Sequence, residues 1–165
     1  MINHKQHRNR NYYAVLAMLL VFFATPIFAV ELQGVQPRSY RFEVRLASFE
    51  PMEGWENLPF NMQKKTIWVS PEAALTNTDV FQAEAGHTID DKACVNLMLT
   101  EEGALKLARL TMAHVGQFLA ILIDGRVTAI PQIMAEITGG RARLDGNFTE
   151  EEAKSIAEGI MIKGY

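Results

Sequence analysis

The feature that most constrains the fold is residues 99–160, where helix-start and turn signals alternate with short apolar segments. Thr100, followed by two glutamates, predicts a helix start, because its hydroxyl can accept from free first-turn amides and acidic residues favour that end. Gly116 predicts the end of this helix. A 3-4 spacing predicts its buried stripe as Leu105, Ala108 and Met112, broadened by Ala104, Leu107, Leu110 and Thr111.

Asp124-Gly125 lies between two apolar segments and predicts a hairpin. The preceding run, residues 118–123, is too short for a separate helix and is typical of a central strand. A two-residue turn between paired strands needs positive φ, which Asp-Gly supplies. Residues 127–130 form the predicted return strand, which Pro131 ends because proline has no N–H to donate.

Gly139-Gly140 predicts a second turn, flanked by extended segments 133–137 and 141–145. We interpret it as a hairpin with at least one glycine at positive φ. An anion site is the alternative, because turn amides next to Arg141 and Arg143 favour negative charge. No phosphate-binding glycine motif accompanies them.

Thr149 followed by Glu152 predicts a capping box and a second, short helix. Upstream, alternating or β-branched residues predict strands over 39–47, 65–70, 80–85 and 92–99, an irregular loop over 50–61 and a connector over 71–79. The predicted class is therefore α+β: an antiparallel or mixed sheet with two helices packed on one face.

Residues 1–29 predict a secretory signal peptide, with basic Lys5, Arg8 and Arg10 before a short apolar run. The run of about ten residues is shorter than the roughly 20 of a membrane-spanning helix. We expect a linker over 30–38, one domain over 39–165 and a periplasmic location. The alternative is an uncleaved anchor in the inner membrane that faces the periplasm.

Removal of the signal peptide would change the formal net charge from −3 to −6. An acidic domain does not attract nucleic acid or anionic lipid through its overall charge. We therefore expect no nucleic-acid partner, and membrane contact only if the N-terminal segment is uncleaved. The sequence does not define an oligomeric state.

The C-terminal motifs together resemble the periplasmic head subdomain of SecD proteins, and the resemblance spans roughly residues 42–159. The motifs that carry it are Leu119-Ala120-Ile121, Asp124-Gly125, Val127, Pro131, Ile137 to Gly140, and Gly146 to Ala153. The resemblance implies a SecD-head-like fold. In that family the head lies between membrane spans, contacts the emerging polypeptide and moves relative to a second periplasmic base.

Ion-driven motor function does not carry over, because this sequence has no such spans. We expect a free-standing, non-enzymatic periplasmic binding domain whose partner is a polypeptide or an envelope protein complex. Trp55, Phe60 and Met62 are the candidate partner contacts; the alternative is a loop folded over the core with Trp55 as its anchor. The alternative functions are a small-ligand or anion-binding module and an enzyme of unrecognised chemistry.

No residue pattern predicts a catalytic, cofactor or metal site. Cys94 is the only cysteine and lies in an alternating strand pattern, which favours a small buried side chain. His87 and His114 lack the spacing of metal ligands. The enzyme alternative would require Asp145, Arg141 or His114 to converge in a deep pocket.

Overall fold

The structure, a computed structural model, describes residues 38–60 and 65–161. Its strands are β1 (Phe42–Ser48), β2 (Glu56–Phe60), β3 (Lys65–Val69), β4 (Leu75–Thr76), β5 (Val80–His87), β6 (Ala93–Leu99), β7 (Phe118–Ile123), β8 (Arg126–Ala129) and β9 (Arg141–Asp145). The helices are α1 (Glu101–Ala113) and α2 (Glu150–Met161), and a 3₁₀ turn spans Asn77–Asp79.

The structure confirms the α+β class, but the strands form two antiparallel sheets instead of one. A six-stranded sheet has the order β2-β3-β1-β7-β8, with β4 also paired to β1. A three-stranded sheet has the order β5-β6-β9. Helix α2 packs on β5 and β6, whereas α1 contacts β4, the 3₁₀ turn and β6. Both helices therefore contact β6, and their packing together on one face of a single sheet stays a prediction.

A main core lies between the two sheets and draws on both helices. Alternate residues of β1 and β7, such as Phe42 and Ile121, enter it from the six-stranded sheet. Val95 and Leu144 enter it from the three-stranded sheet, and Ile156 from α2. Each sheet thus buries one apolar face against the same core, which is how a two-layer domain is stabilised.

A second, smaller core lies on the other face of the six-stranded sheet. It contains Ala47, Ile67, Val69, Ala120 and Leu122. The edge strands β2 and β8 contact one another, so the sheet curls around this core. Glu43 on β1 is also buried, and Arg45 donates to both of its carboxylate oxygens at 3.1 Å.

The buried face of α1 differs from the predicted stripe. Leu107 and Thr111, predicted to broaden the stripe, are buried, whereas Leu105 and Met112 are exposed and Gly103, not predicted, is buried. A Cβ at Gly103 would lie 2.5 Å from the backbone oxygen of Asp79, so only this side of the helix admits the 3₁₀ turn. Because α1 is apolar over most of its circumference, periodicity alone selects the wrong side.

The predicted loop over residues 50–61 is wrong in its second half, where β2 pairs with β3. Pro59 favoured the loop prediction, because proline has no N–H to donate to a neighbouring strand. Strand β2 lies at the edge of its sheet, where proline is tolerated.

The predicted hairpin at Gly139-Gly140 is also wrong. Residues 133–137 form no strand, and β9 pairs with β6. Gly140 has φ +61° and its carbonyl accepts from the Leu99 amide at 2.8 Å, which extends that ladder. The two glycines therefore guide the chain past α1 from one sheet to the other.

The signal-peptide prediction for residues 1–29 and nearly all of the predicted linker lie outside the described residues. Among the residues that the structure describes, no helix has both the length and the apolar character needed to cross a membrane.

Candidate functional site

An apolar cleft lies between the two sheets, next to an edge of β9 that has no strand partner among the described residues. Its volume is about 240 Å³. The lining is almost entirely aliphatic and aromatic: Phe42, Val44, Leu75, Leu97, Leu99, Leu107, Leu119, Ile121 and Leu144 line its interior. Cavities that enclose drug-sized ligands typically measure roughly 300–1,000 Å³, so this volume suits one or two apolar side chains better than a cofactor.

The mouth of the cleft is formed by residues that remain accessible. Pro131, Ile137 and Arg141 line it and are exposed, and Ala142 beside them is half-buried. Strand β9 runs along this opening. Within the described residues β9 pairs only with β6, so its other edge has no strand partner. An apolar cavity therefore adjoins a row of available backbone donors and acceptors.

A second, shallower cavity of about 470 Å³ lies on the outer face of the three-stranded sheet. Strand register places Glu84, Asn96 and Arg143 in one row across this face. The Arg143 guanidinium donates to Asp145 at 2.7 and 3.2 Å. That hydrogen bond raises the pKa of Arg143 above its ordinary value. Arg141 has no carboxylate within ion-pair distance among the described residues and is the cation available to a ligand.

The predicted partner contacts do not form one exposed patch. Trp55 is half-buried, and its amide donates to the Met52 carbonyl at 3.2 Å. Phe60 is half-buried and packs against the second core, and Met62 lies outside the described residues. The exposed large apolar residues of this region are instead Phe49 and Met52, and the Phe49 ring contacts Phe118 edge-on at 4.9 Å.

The predicted structural motifs have definite hydrogen bonds. Thr100 accepts from the Gly103 amide at 3.0 Å. The Thr149 hydroxyl accepts from the Glu152 amide at 3.1 Å, and the Glu152 carboxylate accepts from the Thr149 amide at 2.8 Å. Each helix therefore begins at its threonine. Gly139 and Gly140 lie just before β9 and lead into the cleft mouth.

Asp124 and Gly125 both have positive φ, +50° and +75°, as a tight hairpin turn requires. The Asp124 carboxylate also accepts from the Arg41 amide at 2.9 Å and from the Arg38 guanidinium at 2.8 Å. Asp124, which was predicted only as a turn residue, thus also hydrogen-bonds to the segment that leads into β1.

The residues named for the enzyme alternative are not joined by any hydrogen bond or ion pair in the described part of the chain. His114 contacts the Leu110 carbonyl through Nδ1 at 2.8 Å, whereas Asp145 pairs with Arg143. His87 lies 3.4 Å from Glu150, and Cys94 is fully buried. Within residues 38–60 and 65–161, no group of three or more His, Cys, Asp or Glu side chains could hold a metal ion.

Sequence reasoning missed the cleft because its walls come from segments distant in the chain. Phe42 and Leu144 are 102 positions apart and both line it. The predicted end of the ladder at Pro131 is wrong, because the Leu119 amide donates to the Pro131 carbonyl at 3.0 Å and the Ile133 amide donates to the Gln117 carbonyl at 2.8 Å. The signal at the mouth was instead the interval between this segment and the start of β9 at Arg141. Residues 133–137 were predicted to form one arm of a hairpin with the strand after Gly140. Because they form no strand, the second edge of β9 has no strand partner among the described residues.

The comparisons with known proteins agree with this architecture. The sequence profile described as "SecDF, P1 head subdomain" matches residues 55–162. The chain therefore belongs to the SecDF P1 head subdomain family, which confirms the resemblance seen in its C-terminal motifs.

Relatives and solved structures extend the comparison. The chain is 36% identical over 85 residues to the protein translocase subunit SecD of Sebaldella termitidis, covering 52% of this chain and 20% of that protein. It is 41% identical over 83 residues to the protein translocase subunit SecDF of Thermus thermophilus, covering 50% of this chain and 11% of that protein. A crystal structure of SecDF in a super-membrane-facing form superposes with a TM-score of 0.63 at 29% identity, covering 76% of this chain and 19% of that chain. The chain thus corresponds to about a fifth or less of these proteins.

Proposed function

We propose that this chain is a non-enzymatic binding domain that acts in protein export and holds a polypeptide segment in extended conformation. The observation that carries the proposal is the apolar cleft beside the unpartnered edge of β9. Membership of the SecDF head family supports the export role, because the relatives named above are translocase subunits.

The geometry of β9 indicates how such a segment would bind. Ala142 and Leu144 pack into the main core on the cleft side of the strand. Arg141 and Arg143 alternate with them, are exposed, and line the outer cavity as well as the cleft. A polypeptide added to the free edge would form main-chain hydrogen bonds, and its alternate side chains would point in these two directions. One set would enter the apolar cleft and the other would lie near Arg141. We therefore expect preference for apolar residues alternating with acidic ones.

The lining of the cleft supports a binding function over catalysis. Among the described residues that line it, the titratable side chains are Arg141 and Arg143, and a guanidinium does not lose its proton near neutral pH. The cleft thus offers apolar contact and positive charge without a nucleophile or a general base.

The proposed location is the periplasm, reached through a cleavable segment over residues 1–29. The basic residues and the short apolar run of that segment support this, and a periplasmic head is what the family resemblance implies. Intact mass of the protein recovered from the periplasmic fraction would start at Val30. Recovery of the complete chain in the membrane fraction would support the anchored alternative.

Binding of a labelled extended peptide to the purified full chain tests the function. The peptide carries alternating leucine and glutamate, and fluorescence anisotropy reports its affinity. Ala142→Phe, which fills the mouth of the cleft, should weaken binding at least about tenfold, equivalent to 1.4 kcal/mol. The matched control is Ala135→Phe, because Ala135 is exposed and does not line the cleft.

Arg141→Glu supplies a second variant at an exposed position, where folding should be unaffected. This substitution should lower the affinity for the acidic peptide and leave unchanged the affinity for a peptide in which lysine replaces glutamate. Equal affinity of the parent, Ala142→Phe and Arg141→Glu for the acidic peptide would contradict the proposed site.

The anion-binding alternative has one observation in its favour, because Arg141 and Arg143 both line the outer cavity. It predicts that millimolar phosphate raises the melting temperature of the parent chain and not that of Arg141→Ala. We expect no such shift, since Asp145 already neutralises Arg143.

A further inference from the structure

Among the described edge strands of four or more residues, β9 alone lacks a structural barrier to pairing with another strand. Bulges and prolines commonly block such pairing. Strand β5, at the other edge of the same sheet, has a register shift between Val80 and Gln82. In the six-stranded sheet, β2 contains Pro59, β8 pairs with β7 through a register shift, and these two edges contact one another. Strand β9 contains neither proline nor glycine, and its pairing with β6 is regular along its whole length.

The pairing of β9 with β6 determines which backbone groups reach the free edge. The Leu99 amide donates to the Gly140 carbonyl at 2.8 Å, so these two opposed residues form a hydrogen-bonded pair. Directly opposed residues of antiparallel strands alternate between bonded and non-bonded pairs. The even-numbered residues of β9 therefore bond to β6. The amides and carbonyls of Arg141, Arg143 and Asp145 point toward the free edge.

The sequence of β9 is complementary to itself in the antiparallel direction. It reads Arg141-Ala142-Arg143-Leu144-Asp145. When two copies are opposed about Arg143, Arg141 of each copy lies opposite Asp145 of the other, on the outer face. On the cleft side, the small Ala142 of each copy lies opposite the larger Leu144 of the other. Opposite charges that face each other directly across two strands stabilise the pairing.

We propose that two copies of this chain pair through the free edges of β9, antiparallel and centred on Arg143. The two three-stranded sheets then become one continuous sheet across the two-fold axis. The outward amides and carbonyls of Arg141, Arg143 and Asp145 are those that such a register requires, because each hydrogen-bonded pair exchanges both of its main-chain bonds.

The side-chain charges of β9 favour this register. Arg141 is exposed and has no carboxylate within ion-pair distance among the described residues, and the second copy supplies one. Asp145 accepts from Arg143 at 2.7 and 3.2 Å, and a carboxylate has further acceptor sites for a second guanidinium. Each Arg143 leans toward Asp145 of its own strand. The two Arg143 side chains therefore lean toward opposite ends of the interface, which separates their like charges.

The dimer uses the edge at which the proposed function places a polypeptide. A second copy therefore shields this edge from indiscriminate strand pairing until a polypeptide displaces it. The inference depends on the geometry and sequence of β9 alone. Its test contains no polypeptide, so it can fail while the proposed function stands.

Reversal of single charges tests the register in the purified full chain. In Arg141→Asp, and separately in Asp145→Arg, like charges oppose each other at both ends of every homodimer. Sedimentation equilibrium should give each variant a dimer Kd at least about tenfold higher than that of the parent. An equimolar mixture of the two variants should recover the Kd of the parent, because both opposed pairs of the mixed dimer again join opposite charges.

Arg143→Pro supplies a second variant, because it removes an outward amide and no bond to β6. It should retain the melting temperature of the parent and raise the dimer Kd at least about tenfold. Lys154→Asp, a charge reversal at an exposed position of α2, is the control and should leave the Kd unchanged. A parent chain that is monomeric at every concentration would overturn the proposal. So would a mixture that associates no more tightly than its single variants, or a dimer that Arg143→Pro leaves intact.

Discussion

At the scale of single residues, Gly139 and Gly140 occupy different backbone environments although they are adjacent. Gly140 has φ +61°, and a Cβ there would lie 3.0 Å from the Ala104 Cβ. Gly139 has no neighbouring atom within 4 Å of such a Cβ and no positive φ. Of these two positions, therefore, only position 140 requires glycine.

Gly140→Ala should lower the free energy of unfolding by about 1–2 kcal/mol, because alanine is strained in the left-handed region. Gly139→Ala should be neutral or stabilising by up to about 1 kcal/mol, since it restricts only the unfolded chain. Urea denaturation of both variants measures the difference. Equal effects of the two substitutions would show that the turn is not positioned as described.

Asp79 and Lys106 form the ion pair that joins the 3₁₀ turn to α1. The Asp79 carboxylate is buried and accepts from the Thr76 amide at 2.9 Å and from the Lys106 ammonium at 2.8 Å. The hydrogen bond to Asp79, followed by that to Glu102, raises the pKa of Lys106 above its ordinary value.

A lysine whose pKa is raised by folding stabilises the protein fully below its unfolded pKa, about 10.4, and ceases to do so as pH rises through its folded value. Lys106→Met should therefore be less stable than the parent by a constant amount from pH 7 to pH 9. The gap should narrow above about pH 10.4. Thermal melts across this range, with exposed Lys154→Met as the control, measure it. A gap that stays constant to pH 12 would exclude the charged pair as its cause.

At the scale of elements, the capping box of α2 predicts that the effects of substituting Thr149 and Glu152 on the free energy of unfolding depend on one another. Thr149→Ala should cost roughly 0.5–2 kcal/mol, because the Glu152 amide loses its acceptor. Glu152→Ala should cost less in the Thr149→Ala background than alone, since the two side chains form one reciprocal unit. A double-mutant cycle from chemical denaturation measures the coupling, and strictly additive costs would contradict it.

Elements whose limits depend on local chemistry were predictable from the sequence. Thr100 and Thr149 begin helices because their hydroxyls satisfy amides within the same turn, and Asp124-Gly125 turns because both residues tolerate positive φ. These interactions join residues at most a few positions apart. They therefore leave a signal in any short window.

Elements defined by distant partners were not predictable in this way. Strand β9 pairs with β6, about 45 positions earlier, although the two glycines before it favour a local hairpin. The orientation of α1 is set by the contact of Gly103 with Asp79, and the apolar residues around the helix conceal it. In both cases the deciding contact lies outside the segment whose pattern was interpreted.

At the scale of the whole molecule, the candidate site results from having two sheets instead of one. Their apolar faces meet in one core, and the cleft remains where β9 ends the smaller sheet beside residues 131–137. The family was recognisable from motifs at helix starts and turns, because those motifs are local. The cleft was not, since Phe42, Leu107 and Leu144 approach only after both sheets have formed.

The central claim is that a polypeptide in transit enters this cleft, and site-specific photocross-linking during export tests it directly. The full chain carries a photoreactive phenylalanine analogue at Arg141, at the cleft mouth, or at Lys154 on α2. A tagged secretory polypeptide is arrested during export by a folded domain fused to its C-terminus. We predict an adduct with the arrested polypeptide from position 141 that is lost when Ala142→Phe fills the cleft. No adduct from position 141, or an equal yield from position 154, would contradict the account.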